Sequence, residues 1–316
     1  LRWRRRKGKD TAFNLLKDLP TYLPRPELWW REKAVLARIA LKKGRIAQAY
    51  HLTKSHGLKP GGAAYAEAEW LAGWIALRFL KDHAGALLHF KRMHSAVEYP
   101  ISLARAAYWA GRAAAISSDK AAKTWFGRAA AYPLTYYGQL AFGHLSPNGS
   151  LPLPTSPWDE SSKENNSKFS KNELVAVVKI LDEVGEYGSM MHFIRKLYDV
   201  SPDPLWRTMT ARLARASGRP DIAVRIAKRA NRDGTSLLDI AYPILKPPAL
   251  PKSAEGSVPE AALTLAIIRQ ESAFRTDAKS RANARGLMQL IPPTAMRVSK
   301  GIKVRYSKNK LMSDPN

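Results

Sequence analysis

The chain contains no cysteine among its 316 residues, which excludes disulfides, thiol nucleophiles and Cys-ligated zinc and is compatible with an oxidising compartment. Nor does any apolar run approach the roughly 18 residues that a membrane-spanning helix requires. The opening LRWRRRKGKD is basic but has no apolar h-region behind it, so no secretion signal is read there. Acidic residues are scarce: 26 Asp plus Glu stand against 52 Lys plus Arg, a formal net charge of +26. That excess draws in polyanions over roughly a Debye length of 8–10 Å. Nucleic acid, an anionic membrane surface and an acidic cell-wall polymer all qualify. Walker-type and dinucleotide-binding glycine patterns are missing. The histidines (His51, His56, His83, His89, His94, His144 and His192) include no pair at i, i+4, the spacing by which one helix face would hold zinc. Neither a metal nor a nucleotide cofactor is expected. The first residue is Leu1 and the last four are Ser-Asp-Pro-Asn, which reads as a fragment lacking both ends.

What is present is apolar material in helical period. At 45% hydrophobic and 25% charged residues, the chain has the composition of a folded protein of two or three domains. WLAGWIALRFLKDHAGALLHF (70–90) aligns with YWAGRAAAISSDKAAKTWF (108–126), Gly73 answering Gly111, Asp82 answering Asp119 and Phe90 answering Phe126, at offsets of 38, 37 and 36 residues. A helix, a tight turn and a second helix recurring at that period predict a tetratricopeptide-like solenoid. Residues 40–52, with Gly44 at a turn, form a weaker copy, and Gly185 and Gly218 mark further turns. The expected order is an α-superhelical repeat domain at 1–145, an irregular Ser/Pro/Asn-rich connection at 146–171 and further helical hairpins at 172–241. A Pro-rich linker at 242–257 then leads to a last segment, 258–316.

Ser257-Val-Pro-Glu260 has the form of a capping box, predicting that a helix starts there. Along it Leu263, Ala266 and Ile267 mark an apolar stripe, and Glu271 falls four residues after Ile267 on the same face. A carboxyl so placed would be desolvated and would hold its proton near neutrality, the state a general acid needs. A solvated glutamate at a helix end is the plain alternative. Downstream, ARGLMQLIPPTA (284–295) combines Gly286, an apolar cluster with one amide at Gln289, and a Pro-Pro-Thr step suited to opening a helix.

Taken together, RQESAF (270–275) and SRANARGLMQLIPPTA (280–295) resemble the first two motifs of the lysozyme-like catalytic domain of soluble lytic murein transglycosylases. Glu-Ser, a Ser nine residues after the Glu, Gly-Leu-Met-Gln and Pro-x-Thr-Ala come in that family's order and spacing. Residues 65–78, 99–114 and 130–141 are similar to its superhelical and linker regions. The resemblance implies an all-α fold, a TPR-like superhelix followed by the N-terminal part of a lysozyme-like catalytic domain at 258–316. The family usually has Gly where this chain has Asn283, the next most tolerant residue for a left-handed backbone. The family's Ala-Tyr-Asn-Ala-Gly motif and a later tyrosine lie beyond Asn316.

The implied reaction is cleavage of the β-1,4 bond between N-acetylmuramic acid and N-acetylglucosamine, leaving a 1,6-anhydromuramic end, with Glu271 as the single acid and base. The two further carboxylates from there onward, Asp277 and Asp314, show no sign of acting as a partner. The resemblance implies that Ser280 hydrogen-bonds near the acid and the substrate acetamido group and that Met288 and Gln289 line the sugar site. Asn283 and Gly286 would shape the loop. The plain alternatives are a loop-capping serine, a core methionine and a surface amide, and Ser272 reads as a helix-end hydrogen bonder. Peptidoglycan glycan strands are the implied partner, in the periplasm; no nucleic acid is expected, and a monomer is. Basic side chains of the solenoid would meet the carboxylates of stem peptides, while Trp70, Trp74, Trp109, Trp125, Tyr136 and Tyr137 read first as core. Two other readings use the same residues: a non-enzymatic basic scaffold that binds nucleic acid or an acidic protein, and a catalytically incomplete wall-binding relative.

Overall fold

The computed structural model describes residues 13, 16, 24–116, 118–155, 163–244 and 259–313. Helices make up the regular structure of those residues, and two isolated antiparallel bridges, Lys279 with Arg285 and Arg285 with Leu290, are the only β contacts among them. The fold is all-α. The chain divides into two compact units, Leu1–Leu153 and Pro154–Asn316.

Among the described residues of the first unit, from 24 onward, seven helices follow one another, each packed on the next: α1 (Pro26–Lys42), α2 (Ile46–Lys54), α3 (Gly62–Ile75), α4 (His83–Ser95), α5 (Pro100–Ala114), α6 (Asp119–Ala130) and α7 (Tyr136–Leu145). Prolines open α1 and α5, where the missing N–H costs nothing. Between α1 and α2, Gly44 takes φ 72°, its N–H donating to the Leu41 carbonyl while the Arg45 N–H reaches back to Ala40. This pair of bonds reverses the chain and is repeated at Gly185 and Gly218 in the second unit.

The internal repeat has a contact behind it. A Cβ on Gly73 would lie 2.8 Å from Phe90 Cε1, and one on Gly111 would lie 2.8 Å from Phe126 Cδ1. In both hairpins a glycine on the first helix makes room for a phenylalanine on the second. The capping residues correspond less simply. Asp82 caps α4 by accepting from the Gly85 N–H at 2.8 Å, whereas α6 is capped by Ser118, accepting from Ala121 at 3.3 Å, and not by Asp119. Ser118 follows Asp82 by 36 residues, the spacing of the two phenylalanines. The longer offset at the glycines arises because α3 runs on through a π-helical turn, Ala76–Leu80, that α5 does not have. Gly73→Ala or Gly111→Ala is expected to destabilise by about 1–3 kcal/mol through overpacking. Gly127→Ala is the control: a Cβ there meets nothing within 4 Å, and helix propensity predicts a gain of up to about 1 kcal/mol. Urea midpoints of the three variants test the ordering.

The aromatic residues expected in the core sit instead at its edge. Trp70, Trp74, Trp109, Trp125 and Tyr137 are half-buried against the apolar clusters, and Tyr136 is exposed. They form a chain of ring contacts in which Trp70 stacks on Trp74 at 6.0 Å and meets Trp109 edge-on at 6.2 Å. Of the described tryptophans in this unit, Trp30 on α1 is the one placed in the core, at 2% exposure.

The second unit contains α8 (Lys163–Ser170), α9 (Glu173–Glu183), α10 (Tyr187–Val200), α11 (Pro204–Ala216), α12 (Pro220–Arg232), α13 (Leu238–Ala241), α14 (Ala261–Glu271), α15 (Pro292–Gly301) and α16 (Lys310–Ser313). Helix α8 lies inside the stretch expected to be an irregular connection. Its anchor is Phe169, buried against Trp206 with ring centres 5.0 Å apart. Helix α14 begins later than the capping-box reading requires: Glu260 is its N-cap and makes no side-chain capping bond, while Ser257 lies outside the described residues. Most of the Pro-rich stretch at 242–257 is likewise outside them.

Candidate functional site

Helix α14 is held through Arg269. Its Nε donates to the Ala241 carbonyl at 2.5 Å, its guanidinium lies 3.9 Å from the Tyr242 ring centre, and Lys228 Nζ donates to the Arg269 carbonyl at 3.3 Å. Ile268 and Ser272 face inward at 2% exposure each, and Ser272 Oγ donates to the Ile268 carbonyl. This is the inner face of the helix. Leu263, Ala266 and Ile267 are on the outer one and exposed, and so is Glu271. The buried, desolvated acid expected from the stripe is therefore corrected: the Glu271 carboxylate is open to solvent, with no hydrogen bond or ion pair among the described residues, Ser280 and Gln289 included. The cause is one of phase. One residue along an α-helix is a rotation of about 100°, and packing selected 268 and 272 where the stripe had selected 267 and 271.

Two features of the helix end are not explained by local energetics. An anion in the last helical turn sits against the macrodipole. Immediately after it Ala273 and Phe274 take φ of 54° and 70°, left-handed values that non-glycine residues seldom adopt consecutively. Strained backbone of this kind is concentrated at functional sites. Arg275 then pairs with Asp277 through two bonds, Nε to Oδ1 at 2.7 Å and Nη2 to Oδ2 at 2.9 Å. The hydrogen bond from Arg275 holds the Asp277 carboxyl below the usual carboxylate range against a smaller upward push from burial. Asp277 is thus committed to its neighbour.

The loop from 278 to 290 is built from its own polar groups. Ser280 Oγ accepts from the Ala284 N–H at 3.0 Å, the loop-capping role. Asn283, at φ 64°, accepts at Oδ1 from Arg285 Nη2 at 2.9 Å. Gln289 is not a free surface amide: its Nε2 donates to the carbonyls of Ala278 at 3.0 Å and Gly286 at 2.9 Å. Met288 is 40% exposed, so it is not core; it lines a cavity of about 330 Å³ with Leu290, Ile302, Val304, Tyr306 and Met312. Glu271 does not line that cavity.

Gly286 has the strictest requirement in the loop. It adopts φ 72°, and a Cβ there would sit 1.8 Å from the Leu311 carbonyl oxygen. Gly286→Ala is expected to cost about 1–3 kcal/mol, from overpacking and an unfavourable φ together. Limited proteolysis of the second unit, with faster cleavage between 276 and 313, checks it.

Arg285 was missed from sequence. It is buried at 8%, joins both β-bridges, and donates from Nη1 to Met312 Sδ at 2.9 Å, tying the loop to α16. Its partner Met312 lies 27 residues further on, so no local spacing signals the contact.

Residues 251–316 match the family described as "Transglycosylase SLT domain". Over the whole chain the structure is similar to the lytic transglycosylase Slt of Pseudomonas aeruginosa, solved as an inactive mutant, with a TM-score of 0.71, 22% identity, and coverage of 99% of this chain and 49% of that one. It is also similar to the 70 kDa soluble lytic transglycosylase of Escherichia coli, with a TM-score of 0.53, 17% identity and coverage of 98% and 53%. A complex of a 70 kDa soluble lytic transglycosylase with bulgecin A aligns with a TM-score of 0.50 at 16% identity, over 98% of this chain and 53% of that one. The chain therefore spans about half the length of the solved proteins it resembles. No curated protein matches it.

Proposed function

We propose, on the premise that residues 251–316 belong to the transglycosylase SLT domain family, that the protein is a peptidoglycan lytic transglycosylase that uses Glu271 as its single acid and base. The observation that carries this reading is the family match over the segment in which Glu-Ser at a strained helix end precedes the Gly-Leu-Met-Gln loop. The fold similarity to lytic transglycosylases over nearly all of the chain supports it.

Glu271 would give its proton to the glycosidic oxygen as the bond from that oxygen to the muramic C1 breaks. The substrate's own N-acetyl oxygen would stabilise C1, as in substrate-assisted glycosidases. The ionised Glu271 would then take the proton of the muramic C6 hydroxyl while O6 bonds to C1, closing the anhydro ring. The proton given is regained and no water is consumed. Since Glu271 is exposed, the shielding a general acid needs would come from groups outside the described residues, the bound glycan among them.

The loop bonds leave two groups with unused capacity. Ser280 Oγ accepts from Ala284 and keeps its own O–H to donate; Gln289 spends its amide N–H groups and keeps Oε1 to accept. One donor and one acceptor match the carbonyl and N–H of an acetamido substituent. Met288 would add apolar contact to a sugar face. Action on peptidoglycan places the protein in the periplasm under this reading.

The test is to incubate the full-length protein with purified peptidoglycan in ¹⁸O-enriched water and analyse the muropeptides by mass spectrometry. Anhydromuramic products free of label are expected. Reducing-end products carrying ¹⁸O would show hydrolysis instead, and duplex DNA binding without any product would favour the scaffold reading.

A further inference from the structure

The first unit contains a cavity of about 340 Å³ between α1, α3 and α5, lined by Arg38, Glu67, Trp70, Ser102 and Arg105 with apolar wall from Ala66 and Ile101. Its one acid is already committed. Glu67 Oε1 accepts from Arg38 Nη2 at 2.6 Å and Oε2 accepts from Trp30 Nε1 at 3.1 Å. Arg105 is the cation left over. Its guanidinium lies 4.7 Å from the Trp70 ring centre, and its Nε is buried with no hydrogen-bond partner among the described residues. The indole Nε1 of Trp70 is in the same condition. Burial pushes the Arg105 guanidinium below the ordinary arginine range, with Tyr137 and Glu67 opposing. Arg105 lines the cavity without an ion pair among the described residues, so an entering anion would meet a positive charge there.

We propose that this cavity binds the carboxylate of a short peptide, the Arg105 guanidinium supplying the charge. A carboxylate fits better than a phosphate, because the Glu67 carboxylate in the wall opposes a dianion. The small apolar wall suits alanine-sized side chains. Identifying the peptide as a stem attached to glycan rests on the function proposed above; the carboxylate site itself does not.

The full-length protein carrying Glu271→Gln, which leaves the ligand intact, is titrated calorimetrically with a disaccharide–tetrapeptide, the free tetrapeptide and the peptide-free disaccharide. The first two are expected to bind at this site. Arg105→Met should weaken them about tenfold or more, and Arg105→Lys should recover part of the loss. Arg105→Met should also melt close to its parent, because it trades a half-buried guanidinium whose Nε has no acceptor for an apolar chain that can pack on Trp70. Tighter binding of the linked peptide assigns the site to the strand, and equal binding assigns it to released peptide; both support a carboxylate site. Unchanged affinity in Arg105→Met overturns the proposal. So does lost binding with a lower melting temperature that Lys does not restore, which would make Arg105 a structural residue. If peptidoglycan is never cleaved, the free-tetrapeptide titration still decides this site.

Discussion

Glu271→Gln is expected to slow anhydromuropeptide release from peptidoglycan by about 10³-fold or more, the upper part of what one positioned general acid contributes. The amide keeps the shape and hydrogen-bonding reach of the side chain but has no proton to give to a leaving alkoxide and no basicity to take one from the C6 hydroxyl. Because one residue would serve both steps, no second group compensates. Since Glu271 is exposed and unpartnered, its replacement removes no folded-state contact, so the variant should melt within about 0.5 kcal/mol of its parent. It should also retain binding to insoluble peptidoglycan. Loss of rate with stability and binding intact is the signature sought; a variant cleaving at more than a tenth of the parental rate would remove Glu271 from the mechanism.

How far the fold could be read in advance depended on whether local pattern and packing asked for the same residue. The hairpins of the first unit were legible because Gly73 and Phe90, and again Gly111 and Phe126, touch in the structure and recur in the sequence. Helix α8 was not, since Lys-Glu-Asn-Asn-Ser-Lys-Phe-Ser has a single apolar residue and no period; Phe169 is fixed by Trp206 from α11, a contact made only in the fold. At α14 the reading failed for the opposite reason. Residues 261–268 are apolar almost throughout, so periodicity could not choose a face, and a choice one residue out of phase turned Glu271 from the inside to the outside. The second motif identified the loop, yet its internal bonding was hidden. Nothing in Gly-Leu-Met-Gln says that the Gln289 amide spans to Ala278, eleven residues back.

The largest stability effect is expected in the first unit, at Glu69 on α3. This carboxylate is 3% exposed and receives His89 Nδ1 at 2.5 Å and His56 Nε2 at 3.4 Å, with Arg92 Nη1 at 3.9 Å. Each ring is fixed from its other side: His56 Nδ1 accepts from the Leu58 N–H at 2.9 Å, and His89 Nε2 lies 3.2 Å from the Tyr50 hydroxyl. The network therefore ties α2, the following loop, α3 and α4 together. Burial pushes the Glu69 carboxyl up, but the hydrogen bonds from His56 and His89 outweigh it and hold it at about 2, against an ordinary 4.5. A folded-state value below the unfolded one stabilises the protein above about pH 4.5, and that stabilisation is lost as pH falls from about 4.5 to 2. Its size is on the order of 3 kcal/mol. Glu69→Gln should forfeit it, because the new amide NH₂ faces a ring N–H, donor against donor, at a buried position. Glu67→Gln, at a residue whose side chain is 41% exposed, should cost no more than about 1 kcal/mol. Urea unfolding of the three proteins at pH 7 and pH 3 separates the cases. The gap between parent and Glu69→Gln should be wide at pH 7 and narrower at pH 3; a gap of equal width at both would mean that Glu69 stabilises the hairpins through packing alone and not as an anion.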